Sequence, residues 1–116
     1  LFNSGNHLRD YTHIDDVVKI MDLLISKKMS KKFEIFNICS NKPIDINKLS
    51  LFIAKFLGKK PKFVFKDRNK IEVIKTHGDN KKILKFLNYK IKNNIYLELP
   101  KIINWYKQNR IWKLKI

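Results

Sequence analysis

The stretch RDYTHIDD, residues 9–16, joins an arginine to a double carboxylate through a short aromatic and β-branched segment. The guanidinium of Arg9 presents a planar fork of donors that suits a phosphate group. Asp15 and Asp16 precede an apolar helical pattern, and carboxylates stabilise a helix N-terminus by accepting hydrogen bonds from its free N–H groups. The stretch therefore predicts an extended segment that leads into a helix capped by Asp15. The acidic pair is interpreted as a cap and not as catalytic carboxylates.

Hydrophobic spacing predicts four helices in the chain. Asp45 caps the second helix, Gly58 stops it, and Asp79 caps the third. Pro100 would cost about 3 kcal/mol in a helix interior but nothing at the first position, so the fourth helix is predicted to start near Leu99. The predicted helices cover residues 15–27, 45 or 46 to 57, 79 to 88 or 89, and the stretch from 99 onward.

Two short strands are predicted between these helices. Residues 33–38, FEIFNI, have apolar side chains on both faces, which is typical of a strand in the interior of a sheet. A second strand is predicted over residues 62–66, and residues 67–77 are predicted to form an extended loop. The pattern indicates a single α/β domain over residues 1–116, with short strands and about four helices.

The net charge of +16 raises the hypothesis of a basic surface for nucleic acid or another polyanion. However, only three of the 26 basic residues are arginine, the side chain that reads guanine edges with two hydrogen bonds. The lysines are spread evenly among asparagines and isoleucines, which is more typical of an AT-rich coding bias. Nucleic acid is therefore not the preferred partner, and a small basic polyanion-binding domain is kept as the alternative function.

Cysteine content and hydropathy limit the other classes of function. Cys39 is the only cysteine, so neither an intrachain disulfide nor a cysteine-based zinc site can form. The spacing of His7, His13 and His77 does not predict a metal site. No apolar run approaches the ~18 residues that span a bilayer, and no signal-peptide pattern opens the sequence. We therefore expect a soluble, cytoplasmic protein with no membrane partner and no metal.

Residues 5–18, GNHLRDYTHIDDVV, resemble the R-D-F/Y-T/I-Y/H-I/V-D-D segment of the NAD-dependent sugar-nucleotide epimerases and dehydratases. This is the extended short-chain dehydrogenase/reductase family, and the sequence is most similar to its UDP-glucuronate 4-epimerase type. Further segments resemble the family in the same order across nearly the whole chain. They are FEIFNI at 33–38, KPIDINKL at 42–49, FLGKK at 56–60, EVIKTHGD at 72–79, LNYK at 87–90 and WYK at 105–107.

The resemblance covers only the C-terminal part of such an enzyme. The family binds NAD at a G-x-x-G-x-x-G turn of an N-terminal Rossmann half and uses a Tyr-x-x-x-Lys pair in catalysis, and this chain contains neither motif. The resemblance therefore implies no catalytic or cofactor-binding residue in this chain, and the chain alone is expected to be inactive. The implied partners are the missing Rossmann half, which would bind NAD, and a UDP-sugar or related nucleotide sugar. The implied parent is an epimerase or dehydratase of polysaccharide biosynthesis. The resemblance implies a homodimer of that parent only through helices of the missing half, so the oligomeric state stays open.

The resemblance also assigns substrate-binding roles to four residues. Arg9 matches the family arginine that pairs with the substrate diphosphate, and Glu72 occupies the position of a carboxylate that contacts the nucleotide ribose. Arg68 and Asn69 are candidate donors to a phosphate or to the ribose.

Each assignment has an alternative. Arg9 could instead form a salt bridge with Asp10 or Asp16, and Glu72 could be a solvated loop carboxylate. The chain could also be a non-functional remnant whose apolar faces, on the first helix and residues 33–38, are exposed.

Overall fold

The computed structural model describes residues 1–67 and 71–109. Four helices and a small sheet make up the described part of the chain, which confirms the predicted α/β class. In chain order the elements are β1 (Leu8–Asp10), α1 (Ile14–Ile25), β2 (Pro43–Asp45), α2 (Ile46–Phe56), α3 (Lys81–Leu87) and α4 (Ile95–Gln108). None of the helices in these two ranges is long and apolar enough to cross a membrane.

The sheet consists of β1 and β2, which pair antiparallel with Arg9 opposite Ile44. On its other side β1 contacts the segment that follows residue 71. The N–H of Leu8 donates to the carbonyl of Ile74 at 2.9 Å, and the N–H of Thr76 donates to the carbonyl of Leu8 at 3.0 Å. β1 therefore lies between two extended segments, and this arrangement places the region around residue 72 beside Arg9.

α1 begins and ends two residues earlier than predicted, and its cap is His13 instead of Asp15. His13 has an extended backbone (φ −73°, ψ 139°), and its Nδ1 accepts a hydrogen bond from the N–H of Asp15 at 3.2 Å. The prediction of Asp15 as the cap was therefore wrong, because His13, two residues earlier, supplies the accepting side chain, and an imidazole nitrogen can accept a first-turn N–H group.

Asp16 is buried, with 1% of its surface exposed, and its carboxylate accepts four hydrogen bonds. The donors are the hydroxyl of Tyr89 (2.9 Å), the N–H of Lys92 (3.2 Å), and both the N–H (3.2 Å) and Nδ2 (3.0 Å) of Asn93. Burial by itself would raise the pKa of Asp16, but these hydrogen bonds outweigh it and lower the pKa below its ordinary value. Asp16 thus fixes the start of α1 to the segment that follows α3.

The prediction for α2 is confirmed at both ends. The Asp45 carboxylate accepts a hydrogen bond from the N–H of Lys48 at 2.9 Å, and the helix ends before Gly58, whose φ is +63°. α2 contributes Leu49 and Ala54 to the small apolar core, while Ile20 of α1 and Ile83 of α3 are its fully buried members.

The predicted cap of α3, Asp79, lies one residue before the cap position that the structure shows. The Asp79 carboxylate accepts a hydrogen bond from the N–H of Lys81 at 2.8 Å, but the residue at the cap position is Asn80. The buried Asn80 side chain donates instead to the carbonyl of Cys39 at 2.7 Å. The predicted end of the helix is confirmed, since Asn88 adopts the left-handed conformation (φ 52°).

α4 begins at Ile95, not near Leu99, and Pro100 lies inside it. Two contacts stabilise the turn that the prediction left out. Asn94 Oδ1 accepts a hydrogen bond from the N–H of Tyr96 at 2.9 Å, and the Tyr96 ring packs edge-on against Phe52 of α2 with 5.0 Å between ring centroids. The helix therefore continues through Pro100 although this residue has no N–H to donate.

The predicted interior strand at residues 33–38 is wrong for the described structure. These residues pair with no strand in the described ranges, because β1 and β2 form a sheet of two strands without them. Phe33 and Ile35 are 77% and 64% exposed, whereas Phe36 packs against Phe86 with 5.2 Å between ring centroids. The predicted strand over 62–66 is reduced to a single bridge between Lys66 and Phe2.

Candidate functional site

A cavity of about 420 Å³ opens beside β1. It forms where β1 leaves the 3-10 turn Asn3–Gly5 and runs between β2 and the segment after residue 71. The polar side chains that line it come from two distant stretches of the chain, residues 7–11 and 72–76. They include His7, Arg9, Tyr11, Glu72 and Thr76.

The guanidinium of Arg9 is held in place mainly by backbone carbonyl groups. Its Nη1 donates to the carbonyls of Leu8 (2.9 Å) and Ile74 (3.1 Å), and its Nη2 donates to Glu72 Oε1 (3.4 Å). The side chain remains 24% exposed. The alternative of a salt bridge to Asp10 or Asp16 is wrong for the described structure, because the carboxylate that pairs with Arg9 is that of Glu72. Arg9 therefore presents a partly solvated cation, with a fixed orientation, at the cavity.

Glu72 lies between two basic side chains. Its Oε1 is the atom that contacts Arg9, and its Oε2 lies 3.8 Å from Nε2 of His7. The Glu72 side chain is 32% exposed, so the carboxylate can still meet a molecule in the cavity. The structure thus brings two of the four predicted site residues together. The other two, Arg68 and Asn69, lie outside the described residues.

His7 was not predicted as a site residue, although it lines the same cavity. The residue is only 4% exposed, and its Nε2 is buried without a hydrogen-bond partner among the described residues. Its spacing of two from Arg9 was a usable signal, since residues two apart in an extended segment point to the same side. Only the fold, however, shows that this side is the one Glu72 approaches.

Asp10 connects the loops that border the site. Its carboxylate accepts hydrogen bonds from the hydroxyl of Ser40 and from the N–H groups of Asn41 (3.1 Å), Gly78 (3.0 Å) and Lys42 (3.5 Å). Burial would raise the pKa of Asp10, but the Ser40 hydroxyl and the three N–H groups lower it below its ordinary value. Sequence reasoning missed this role because all four donors are at least 30 residues away.

The comparison with protein families concerns the same first part of the chain. The family model described as the NAD dependent epimerase/dehydratase family matches residues 1–39, which include His7, Arg9 and Asp10. The UDP-glucuronate 4-epimerase of Thermodesulfobacterium geofontis is 32% identical over 110 residues, covering 94% of this chain and 33% of that protein. The chain is a relative of the extended short-chain dehydrogenases/reductases. It spans about a third of the length of the curated relatives that it matches.

Solved structures of the family share the fold of this chain. One is MoeE5 in complex with UDP-glucuronic acid and NAD, with a TM-score of 0.84 and 22% identity over 93% of this chain and 36% of that one. Another is the UDP-glucose 4-epimerase of Thermotoga maritima with UDP-glucose, with a TM-score of 0.83 and 25% identity over 95% of this chain and 35% of that one. These matches confirm the predicted fold class as part of an extended short-chain dehydrogenase/reductase.

Proposed function

We propose that this chain is the substrate-binding lobe, residues 1–116, of an NAD-dependent sugar-nucleotide epimerase whose substrate is UDP-glucuronate. The observation that carries the proposal is the pairing of Arg9 and Glu72 at one cavity, 63 positions apart in sequence. The name of the Thermodesulfobacterium relative supports UDP-glucuronate as the substrate.

In this proposal Arg9 binds the diphosphate of the substrate. Two backbone carbonyls already fix Nη1, so Nη2 can bind a phosphate oxygen with little further loss of side-chain freedom. The phosphate would take the place that Glu72 Oε1 now occupies. Glu72, close by and partly exposed, would accept a hydrogen bond from a ribose hydroxyl.

The described part of the chain does not fit NAD. The family's NAD site holds the cofactor pyrophosphate at a glycine-rich turn that opens a helix, and this chain has three glycines at unrelated places. Gly5 lies in the 3-10 turn, Gly58 follows α2, and Gly78 precedes α3. The proposal therefore assigns NAD to an N-terminal Rossmann half and assigns no catalytic step to this chain.

That Rossmann half is also the proposed partner of an exposed apolar surface. Along α1, Ile14, Val18, Met21 and Ile25 are exposed by 65%, 57%, 53% and 85% and follow each other at helical spacing. A surface of this kind is typical of an interface. The full enzyme would cover it, together with residues 33–35. A homodimer of the parent rests on the resemblance alone.

The test is a titration of the 116-residue chain with UDP, followed by amide chemical shifts in NMR. We expect shifts around residues 9 and 72, and about tenfold weaker binding in Arg9→Gln, because a charged hydrogen-bond donor to the diphosphate is lost. Lys19→Gln is the matched control, since it also removes one positive charge, from an exposed side chain of α1.

Equal losses of affinity in both variants would contradict the proposal. They would mean that UDP responds to the general positive charge of the chain, which favours the polyanion-binding alternative. An absence of UDP-induced shifts near residues 9 and 72 would also contradict the proposal, because UDP would then not bind at Arg9 and Glu72.

A further inference from the structure

The buried ring of His7 is held in place by its own backbone. The His7 carbonyl accepts a hydrogen bond from the N–H of Ile46, the first residue of α2, at 3.0 Å. The His7 N–H donates to the carbonyl of Gly5 at 2.8 Å. The ring therefore stands at a fixed position in the cavity wall, and its Nε2 has no hydrogen-bond partner in the described structure. A buried polar group without a hydrogen-bond partner destabilises the folded state, which suggests that Nε2 gains a partner in another state of the protein.

Glu72 stands between this ring and Arg9, and neither contact is a short one. Glu72 Oε1 is 3.4 Å from Arg9 Nη2, and Glu72 Oε2 is 3.8 Å from His7 Nε2. Charge-assisted hydrogen bonds between nitrogen and oxygen are usually about 2.7–2.9 Å long. The carboxylate can therefore improve its contact with one of the two side chains by moving away from the other.

A phosphate that binds Arg9 meets the Glu72 carboxylate as a competitor of the same charge. If the carboxylate stayed in its present place, the two anions would repel each other. If the Glu72 carboxylate turns toward His7, it leaves Nη2 of Arg9 free for the phosphate. The carboxylate then accepts a hydrogen bond from the His7 ring. The same movement supplies the missing partner of His7 Nε2.

We propose that His7 is a positioning residue that receives the Glu72 carboxylate when a diphosphate binds to Arg9. In the ligand-bound state Nε2–H of His7 donates to Glu72, and Nη2 of Arg9 donates to a phosphate oxygen. The inference rests on the proposed function, because it assumes that Arg9 is the diphosphate ligand. It adds a residue to that site and explains how one cavity accommodates two anionic groups.

The test measures UDP affinity of the full chain in a set of variants. His7→Leu removes the donor and is expected to weaken UDP binding about tenfold, the scale of one hydrogen bond to a charged group. His7→Gln offers an amide N–H and should recover most of the affinity, although it lacks the ring. In a Glu72→Gln background the further change His7→Leu should alter affinity less than about twofold, because a neutral amide does not repel the phosphate.

A measurement on the unaltered protein covers the case in which His7→Leu fails to fold. The ¹⁵N shifts of the His7 ring report whether the Nε2 proton is hydrogen-bonded, and saturating UDP should move the Nε2 shift to that of a hydrogen-bonded donor. Unchanged ring shifts at saturation would overturn the inference. So would an equally large effect of His7→Leu in the presence and absence of the Glu72 carboxylate, since that is the behaviour of a purely structural residue.

These outcomes are separate from a failure of the proposed function. If UDP binds and Arg9→Gln weakens it while His7→Leu binds as the unaltered chain does, the role of His7 is wrong and the diphosphate site stands. If UDP does not bind, or if Arg9→Gln has no effect, the proposed function is wrong and the inference is wrong with it.

Discussion

Asp16 and Glu72 are two carboxylates of the same small protein with opposite surroundings. Asp16 is 1% exposed and accepts four hydrogen bonds between 2.9 and 3.2 Å. The side chain of Glu72 is 32% exposed and has two longer contacts, at 3.4 and 3.8 Å. A carboxylate whose acceptor positions are filled by fixed donors stabilises the fold, whereas one with long, competing contacts can respond to a ligand. The difference separates a structural acid from a candidate binding residue.

The largest expected effect is the loss of stability in Asp16→Asn. An amide cannot accept all four hydrogen bonds, and it presents an N–H group to neighbours that are themselves donors. We expect a loss of about 3 kcal/mol in the free energy of unfolding, measured by urea denaturation.

Two further carboxylate-to-amide variants serve as controls for Asp16→Asn. Asp15→Asn changes the neighbouring acid, whose side chain is 76% exposed, and Glu72→Gln changes the carboxylate of the cavity. Each should cost less than about 1 kcal/mol, because partly solvated ion pairs contribute little. A loss in Glu72→Gln as large as that in Asp16→Asn would show that both acids are structural.

A smaller loss of stability is expected when the pH is lowered. Hydrogen bonds hold the pKa of Asp16 below its ordinary value of 3.8, so the folded state binds this proton less readily than the unfolded state does. The stabilisation is therefore complete above the ordinary pKa and is lost as the pH falls through the lowered one. Denaturation midpoints measured from pH 6 to pH 2 should fall more steeply in the unaltered chain than in Asp16→Asn. Parallel curves would contradict the role of Asp16, while Asp10, whose pKa is also lowered, contributes equally to both.

The smallest expected effect is that of removing one donor from Asp16. Tyr89→Phe deletes the hydroxyl that donates at 2.9 Å and leaves the other three hydrogen bonds in place. We expect a loss of about 1 kcal/mol in the free energy of unfolding. The same atom deleted in Tyr96→Phe, which keeps the ring that packs against Phe52, should change stability less. Equal losses would mean that the effect does not depend on Asp16.

The sequence alone was sufficient to predict those helices and helix ends that depend on contacts between neighbouring residues. Asp45 caps α2 through a residue three positions away, and Gly58 ends that helix through its own backbone freedom. The four helices follow from hydrophobic spacing in the same way. The motif resemblance pointed to relatives that the comparisons support and to the correct fold class, and it named Arg9 and Glu72 before their proximity was visible.

Only the tertiary structure decided the features that depend on distant partners. Glu72 lies beside Arg9 from 63 positions away, and the donors to Asp16 come from 73 to 77 positions away. Residues 33–38 have the composition of a strand, but a strand also needs a neighbour with free backbone groups, and the described residues provide none. The early start of α4 depends on Tyr96 packing against another helix. Periodicity and most caps depend on residues within about one turn of a helix and can be inferred from the sequence, although the local cap of α1 by His13 was missed. Burial and charge pairing between distant residues exist only after the chain has folded.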